Sequence, residues 1–230
     1  MWEMNKKFFQ AFFTDSVCLH CGSMNRVYGG LCNWCNRQLL KNTTSFTGRA
    51  HDLEIHAFFH WHQRESDVLS KLLLHLKGPQ SDWDYWGQKW SELWEEGLGR
   101  MSYGAKSKYI LIPAPRQGDK PDHALKFCKA LSLSTGLEME DCLRLKTSRS
   151  QKKMSMNDRS RDWGENIYAL QNTNIQRPGK RLILVDDIVT TGATALESFK
   201  ALNYHGKKTV FSLARRAPSL PEKMDCVSPE

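Results

Sequence analysis

Hydrophobic positions in the second half of the chain fall into short unbroken runs, separated by segments with helical spacing. Apolar runs occupy residues 109–113, 181–185 and 209–213, and helical faces are predicted at 124–131 and 195–202. Such runs are typical of strands buried on both faces of a parallel sheet, with helices between them. The pattern predicts an α/β domain whose ligands bind at the carboxyl ends of its strands.

The first hundred residues carry weaker but readable patterns. Residues 54–61 alternate like a strand, and residues 64–77 place leucines on one helical face. The polar segment 42–52 is predicted to be a linker. It would separate a small module, residues 1–45, from the α/β domain, residues 52–230.

A stripe of tryptophans follows the leucine-rich helix. Spacings of three, four and four residues put them on one helical face, at Trp83, Trp86, Trp90 and Trp94. Packing of this helix onto its domain is the favoured interpretation. Stacking on single-stranded bases is the alternative.

Four of the seven cysteines form a strict pattern of two CxxC pairs separated by ten residues, at Cys18, Cys21, Cys32 and Cys35. Two such turns make a closed tetrahedral Cys₄ site, which is typical of structural zinc. A redox dithiol would explain one pair but not both. Residues 1–45 are too few to bury a core, so metal binding is expected to fold this module.

Charge adds a candidate partner. The 230-residue chain has a formal net charge of +8, and the whole excess lies after residue 100. The stretch 144–161 alone carries seven basic residues and one acidic residue. This composition indicates a polyanionic partner such as phosphate, pyrophosphate or nucleic acid, although a solvated basic loop has the same composition.

No segment predicts membrane insertion, since no apolar run approaches the roughly 18 residues that a spanning helix requires. The N-terminus lacks a small-residue cleavage site, and with unpaired cysteines this predicts a cytoplasmic protein.

The most informative stretch is residues 182–194. A buried strand leads into Asp186 and Asp187, then into a Thr/Gly-rich turn and a helix. The amides and hydroxyls of such a turn, at a helix N-terminus, suit a phosphate. Two adjacent carboxylates beside it suit ribose hydroxyls or a magnesium ion shared with a pyrophosphate. The local chemistry predicts a sugar phosphate that carries a second, metal-bound phosphate group.

This stretch resembles the thirteen-residue phosphoribosyl pyrophosphate (PRPP) motif of type I phosphoribosyltransferases. With the cysteine module in front, the chain resembles the ComF family, which comprises competence-associated phosphoribosyltransferase-like proteins. The resemblance includes the helix end at 76–78, the strand end at 112–115 and the basic stretch 144–161. A KT…Q…R…N pattern also fits approximately, at Lys146, Thr147, Gln151, Arg159 and Asn166.

The resemblance implies a role for each matching residue. Asp186 and Asp187 would hold the ribose hydroxyls of PRPP, supplied with Mg²⁺. The 5′-phosphate would be wrapped by Thr190, Thr191, Gly192, Ala193 and Thr194. The basic stretch would be a mobile flap that closes over the site and excludes water while a nucleophile displaces pyrophosphate.

The chain departs from the family at one place. Relatives carry an RGFNQ segment after the strand end, where this chain has residues 121–124, Pro-Asp-His-Ala. Arg116 and Lys120 are the basic residues left to bind the pyrophosphate there. The negative charges of Asp119 and Asp122 would repel it.

Three functions follow from these observations. The first is a phosphoribosyltransferase that acts on an unidentified acceptor. The second is a non-catalytic protein of DNA uptake and natural competence, which grips single-stranded DNA through the cysteine module and through Lys152, Lys153, Arg159 and Arg161. The third is a PRPP-sensing regulator, which is less favoured because no DNA-reading motif such as a helix-turn-helix is evident.

Overall fold

The computed structural model describes residues 17–24, 27–42, 46–61, 67–78, 82–97, 108–117, 122–146, 166–170 and 179–216. Its strands are β1 (Val27–Tyr28), β2 (Leu31–Cys32), β3 (Phe46–Ala50), β4 (Leu53–Trp61), β5 (Tyr109–Pro113), β6 (Arg116–Gln117), β7 (Glu138–Met139), β8 (Leu143–Leu145), β9 (Ile167–Ala169), β10 (Arg181–Val189) and β11 (Lys208–Arg216). Its helices are α1 (Asn33–Asn42), α2 (Asp67–Leu76), α3 (Trp83–Gly97), α4 (His123–Thr135) and α5 (Ala193–Ala201).

The centre of the fold is a six-stranded sheet in the order β3-β4-β11-β10-β5-β7. Every neighbouring pair is parallel except β3 and β4, which are antiparallel. Helix α4 connects β5 to β7, and α5 connects β10 to β11, so both connections are βαβ units. The prediction of an α/β domain with a parallel sheet is confirmed.

Both faces of the sheet are buried, because consecutive strand residues point to opposite sides. On one face Ile183 and Val185 contact a core that includes residues of α2, α3 and α4. On the other face Leu182 and Leu184 contact a core that includes Phe199 of α5. This two-sided burial explains why β5 and the first half of β10 are unbroken apolar runs.

A small second sheet lies beside the carboxyl end of β5. Its order is β6-β8-β9, with β6 and β8 parallel and β8 and β9 antiparallel. Leu143 of β8 and Ile167 of β9 belong to the same core as Leu182 and Leu184. The small sheet therefore continues the α5 side of the domain.

The cysteine module packs against the α/β domain. Its buried residues, including Leu31 and Leu39, share a core with Leu72 and Trp86 of helices α2 and α3. The indole of Trp86 donates to the carbonyl oxygen of Gly29 over 3.1 Å. Because these residues share one core, module and domain are expected to stabilise each other.

Two details differ from the sequence predictions. The segment 42–52 is not simply a linker, since residues 46–50 form edge strand β3 on β4. Strand β10 does not end before its acidic pair but runs through it to Val189, paired with β11. In the part of the chain that the structure describes, no helix combines the length and apolarity needed to cross a membrane.

Candidate functional site

The acidic pair lies at the carboxyl edge of the sheet, the edge at which the parallel strands end. Val185 is level with Pro113, the last residue of β5, so Asp186 and Asp187 extend beyond the end of that neighbour. Each carboxylate accepts a hydrogen bond from the next backbone amide: Asp187 N donates to Asp186 Oδ1, and Ile188 N to Asp187 Oδ1, both over 2.9 Å. These bonds fix the two carboxylates where a ligand can reach the strand end.

Charges around the pair are mixed. Burial first, and the charge of Asp187 second, raise the pKa of Asp186 well above its ordinary range. Lys77, just after helix α2, lies with its Nζ 3.8 Å from Asp187 Oδ2. The site therefore holds one carboxylate that resists ionisation and another that has a basic partner.

Asp122 is a third acid within electrostatic reach. It caps helix α4 by accepting the amide of Leu125 over 2.9 Å. Burial raises the pKa of Asp122, the capping bond and the charge of Arg116 lower it, and Asp187 raises it further. The charges of Arg116 and Asp187 thus act on Asp122 in opposite directions, and its position at the helix start reflects capping chemistry.

The Thr/Gly-rich turn lies between β10 and α5, as predicted. Thr190, Thr191 and Ala193 are exposed, and Thr194 is half-buried. Gly192 is buried with φ +83°, and a Cβ there would come within 2.7 Å of Leu53 Cδ1. Only glycine fits both the backbone angle and the space.

This turn leaves donors at the start of α5. Gly192 has no side chain to cap the helix, and the amide of Ala193 reaches Thr191 Oγ1 at 3.4 Å. The first amides of a helix lack intrahelical acceptors and favour an anion. The turn can therefore hold a phosphate group.

Arg116 lies on β6 of the small sheet, three residues after the end of β5. It is buried, and its Nη2 donates to Asp141 Oδ2 over 2.6 Å. Arg144 of β8, in register with Arg116, binds the other oxygen of the same carboxylate over 2.7 Å. Sequence reasoning singled out Arg116 but missed Asp141, which is distant in sequence and has no motif around it.

Lys77 was also missed as a site residue. It was noted only as part of the helix end at 76–78, and its ion pair with Asp187 brings together residues more than a hundred positions apart. The sequence signal at this position was the resemblance of the helix end to the ComF family, and that resemblance implied no role for the lysine.

The four cysteines of the predicted metal site come together. Their Sγ atoms all lie within 4.8 Å of one another, and Cys18, Cys32 and Cys35 are buried while Cys21 is exposed. The amide of Gly22 donates to the Cys18 carbonyl over 2.9 Å, closing the first CxxC turn. This donor set can hold a metal ion and fits zinc, whose structural sites are closed and tetrahedral.

Two cysteine thiols have shifted pKa values. Burial alone would raise the pKa of Cys18, but hydrogen bonds from neighbouring backbone groups lower it to about 6. Burial and the neighbouring thiols raise the pKa of Cys35 above its ordinary range. A metal ion would displace the remaining thiol protons, since thiolates are the ligands.

No comparable cage exists for magnesium in the described ranges. The cysteines are the one group there with three or more potential ligands close enough to share an ion. The three aspartates do not enclose a metal by themselves. Magnesium commonly keeps several waters and binds through substrate phosphates, so any Mg²⁺ would have to come with its ligand.

The tryptophan stripe packs helix α3 onto the domain, so the favoured interpretation is confirmed. Trp83, Trp86 and Trp90 are buried, and Trp90 Nε1 donates to the Ser212 carbonyl over 2.9 Å. These three indoles cannot stack on bases. The side chain of Trp94 lies outside the described residues.

Several predicted residues also lie outside the described ranges: Lys120, Lys152, Lys153, Arg159 and Arg161. Their roles stay predictions. No protein-family model matches this chain, and no curated protein shows significant similarity to it.

Proposed function

We propose that this protein is a type I phosphoribosyltransferase-like protein of the ComF kind that binds PRPP. The observation that carries the proposal is the continuous path of β10 through Asp186 and Asp187 into the Gly192 turn and helix α5. It joins an acidic strand end to an anion-binding turn at the carboxyl edge of a parallel sheet. That edge is where α/β folds bind their ligands.

The two halves of this path suit the two ends of a sugar phosphate. The turn at residues 190–194 would bind the 5′-phosphate through backbone amides and threonine hydroxyls. The carboxylates of Asp186 and Asp187 would accept hydrogen bonds from the ribose hydroxyls. A phosphate next to the carboxylates would be repelled, so the sugar separates the charges.

The pyrophosphate end needs positive charge. Lys77 and Arg116 supply it at this edge, Lys77 beside Asp187 and Arg116 next to the end of β5. Mg²⁺ would arrive bound to PRPP and neutralise the pyrophosphate further.

The reaction proposed is displacement of pyrophosphate from the anomeric carbon by an acceptor. The nucleophile forms the new bond to that carbon, and pyrophosphate leaves with the electrons of the broken C–O bond. The sequence pattern supports this activity, and the acceptor is not specified by the described residues.

The proposal is tested with the double variant Asp186→Asn, Asp187→Asn. Affinity for PRPP with Mg²⁺, measured by titration calorimetry, should weaken by about 2–4 kcal/mol, since hydrogen bonds to charged groups contribute roughly 1.5–3 kcal/mol each. Asp84→Asn, at an exposed position on helix α3, is the matched control. Equal PRPP affinity in the double variant and the control would refute the site.

A second candidate function is binding of single-stranded nucleic acid through the cysteine module and the basic stretch 144–161. Trp34, between Cys32 and Cys35, is 64% exposed, unlike the buried indoles of α3. Arg37 lies one turn further along α1, and residues 16–51 contain no Asp or Glu. Exposed aromatic and basic side chains favour stacked bases and phosphates.

Salt dependence tests this second function. If four or five basic residues of the 144–161 stretch contact phosphates, log affinity for oligo-dT should fall with log salt at a slope of about −3 to −4. Neutralising Lys152, Lys153, Arg159 and Arg161 should flatten the slope, and Trp34→Ala should weaken binding at every salt concentration. Binding that is absent at low salt, or unchanged in both variants, would exclude this function.

A further inference from the structure

Two buried arginines share a single carboxylate next to the candidate site. Arg116 and Arg144 are 6% and 8% exposed. They lie directly opposite each other on the neighbouring strands β6 and β8. Two guanidinium groups at such positions repel each other, so something must hold them in place.

Asp141 holds both. Its Oδ1 accepts Arg144 Nη1 over 2.7 Å, and its Oδ2 accepts Arg144 Nη2 over 3.4 Å and Arg116 Nη2 over 2.6 Å. Burial alone would raise the pKa of Asp141, but the bonds and charges of the two arginines hold it below its ordinary range. The carboxylate therefore stays ionised between two cations.

The two arginines are anchored differently. Arg144 Nη1 also donates to the carbonyl oxygen of Leu143 over 2.9 Å, so the backbone of β8 fixes it. Arg116 is tied to this group by its contact with Asp141. Arg144 thus fixes the carboxylate to the backbone of β8, and the carboxylate in turn binds Arg116.

The backbone at Arg116 lies close to the carboxyl edge of the sheet. Arg116 follows the end of β5 by three residues, and Ala114 N donates to the Val185 carbonyl over 2.8 Å, next to Asp186. The positive charge of Arg116 acts on Asp122, which in turn acts on Asp186. Arg116 thus influences Asp122, the third acid of the candidate site.

We propose that Asp141 is a positioning residue that holds Arg116 ready for the pyrophosphate end of the ligand. This rests on the proposed PRPP function. A long side chain that is already fixed loses less conformational entropy when a ligand binds. Without the carboxylate, Arg116 would lose this 2.6 Å ion pair, and less negative charge would offset its repulsion from Arg144.

Two ligands separate this role from a structural one. PRPP carries the pyrophosphate, whereas ribose 5-phosphate uses the same acidic pair and turn without it. In the zinc-loaded full chain, Asp141→Asn should weaken PRPP binding about tenfold or more and change ribose 5-phosphate binding less than twofold. The affinity for magnesium pyrophosphate alone should fall by the larger factor, as the affinity for PRPP does.

A double-mutant cycle tests whether Asp141 acts through Arg116. Asp141→Asn added to Arg116→Gln should weaken PRPP binding no further than Arg116→Gln alone. The control is Glu138→Gln on β7, which removes the 2.8 Å ion pair of Glu138 with Lys180 and should leave both affinities unchanged. If Asp141→Asn does not fold, Asp141→Glu keeps the charge but displaces the carboxylate, and the same selective loss is expected.

The outcomes are distinct. Equal losses for PRPP and ribose 5-phosphate, or additive losses in the cycle, would overturn the positioning role and leave the PRPP function intact. Failure of the wild-type protein to bind either ligand would instead overturn the proposed function itself.

Discussion

Asp186 lies within a paired strand, where burial makes an ionised carboxylate costly. The raised pKa of Asp186 records that cost. A protein that needs this carboxylate for a ligand accepts a less stable unliganded state. Replacing Asp186 should therefore have opposite effects on stability and on ligand binding.

The variant Asp186→Asn should make the unliganded protein more stable at neutral pH. A carboxyl with a raised folded-state pKa stabilises the fold when protonated, and this is lost as pH rises through that pKa. The variant's advantage in urea denaturation should appear above about pH 4, the ordinary aspartate pKa, and then grow. An advantage that is largest at low pH would contradict the assigned shift.

Gly192 joins the acidic strand to the phosphate turn, and two features favour glycine there. Gly192→Ala places a Cβ at positive φ, which costs about 1–2 kcal/mol, and drives it against Leu53, which adds about 1–3 kcal/mol. Gly179→Ala is the control, with φ +81° and no atom within 4 Å of the added Cβ. Equal losses of unfolding free energy in the two variants would show that the Leu53 contact is not tight.

At the scale of elements, the buried strands were predictable because burial on both faces of the sheet requires an unbroken run of apolar residues. Strands β5 and β11 and helix α4 lie where apolar runs and spacing put them. Strand β3 was missed because it is an edge strand whose Thr47 and Arg49 are exposed, and its composition resembles a linker. The contacts of Lys77 and Asp141 depend on how distant segments pack, which no local pattern encodes.

Helix α3 connects the cysteine module to the sheet through its tryptophans. Trp86→Phe and Trp90→Phe each leave a buried carbonyl, of Gly29 or Ser212 respectively, without its indole donor. Each should lower the free energy of unfolding by about 1–3 kcal/mol. Trp34→Phe, at an exposed position, should change it by no more than about 0.5 kcal/mol. Similar losses in all three, measured by chemical denaturation, would contradict the packing role of α3.

At the scale of the whole molecule, the four-cysteine cluster that could hold a metal and the α/β domain share one hydrophobic core. Loss of the metal should therefore destabilise the α/β domain as well as the module that binds the metal. Gly29 connects the module to the domain. Its amide donates to Asp82 Oδ2 over 3.1 Å, and its carbonyl oxygen accepts a hydrogen bond from the Trp86 indole.

Cys32→Ser tests this coupling. The variant should lose zinc, measured by elemental analysis, and unfold at a lower temperature in the α/β domain as well. Cys226→Ser, outside the CxxC pairs, should keep one zinc per chain and the wild-type melting temperature. A variant that loses zinc but melts unchanged would show that module and domain are independent, and zinc-free wild-type protein with an ordered module would refute the metal site.

The most direct test of the central claim is calorimetric titration of the zinc-loaded wild-type protein with PRPP, with and without Mg²⁺, followed by oligo-dT. The account predicts one PRPP site per chain, with tighter binding when Mg²⁺ is present because the metal neutralises the pyrophosphate. No heat of PRPP binding under either condition, together with saturable binding of oligo-dT, would contradict it and favour the nucleic-acid function.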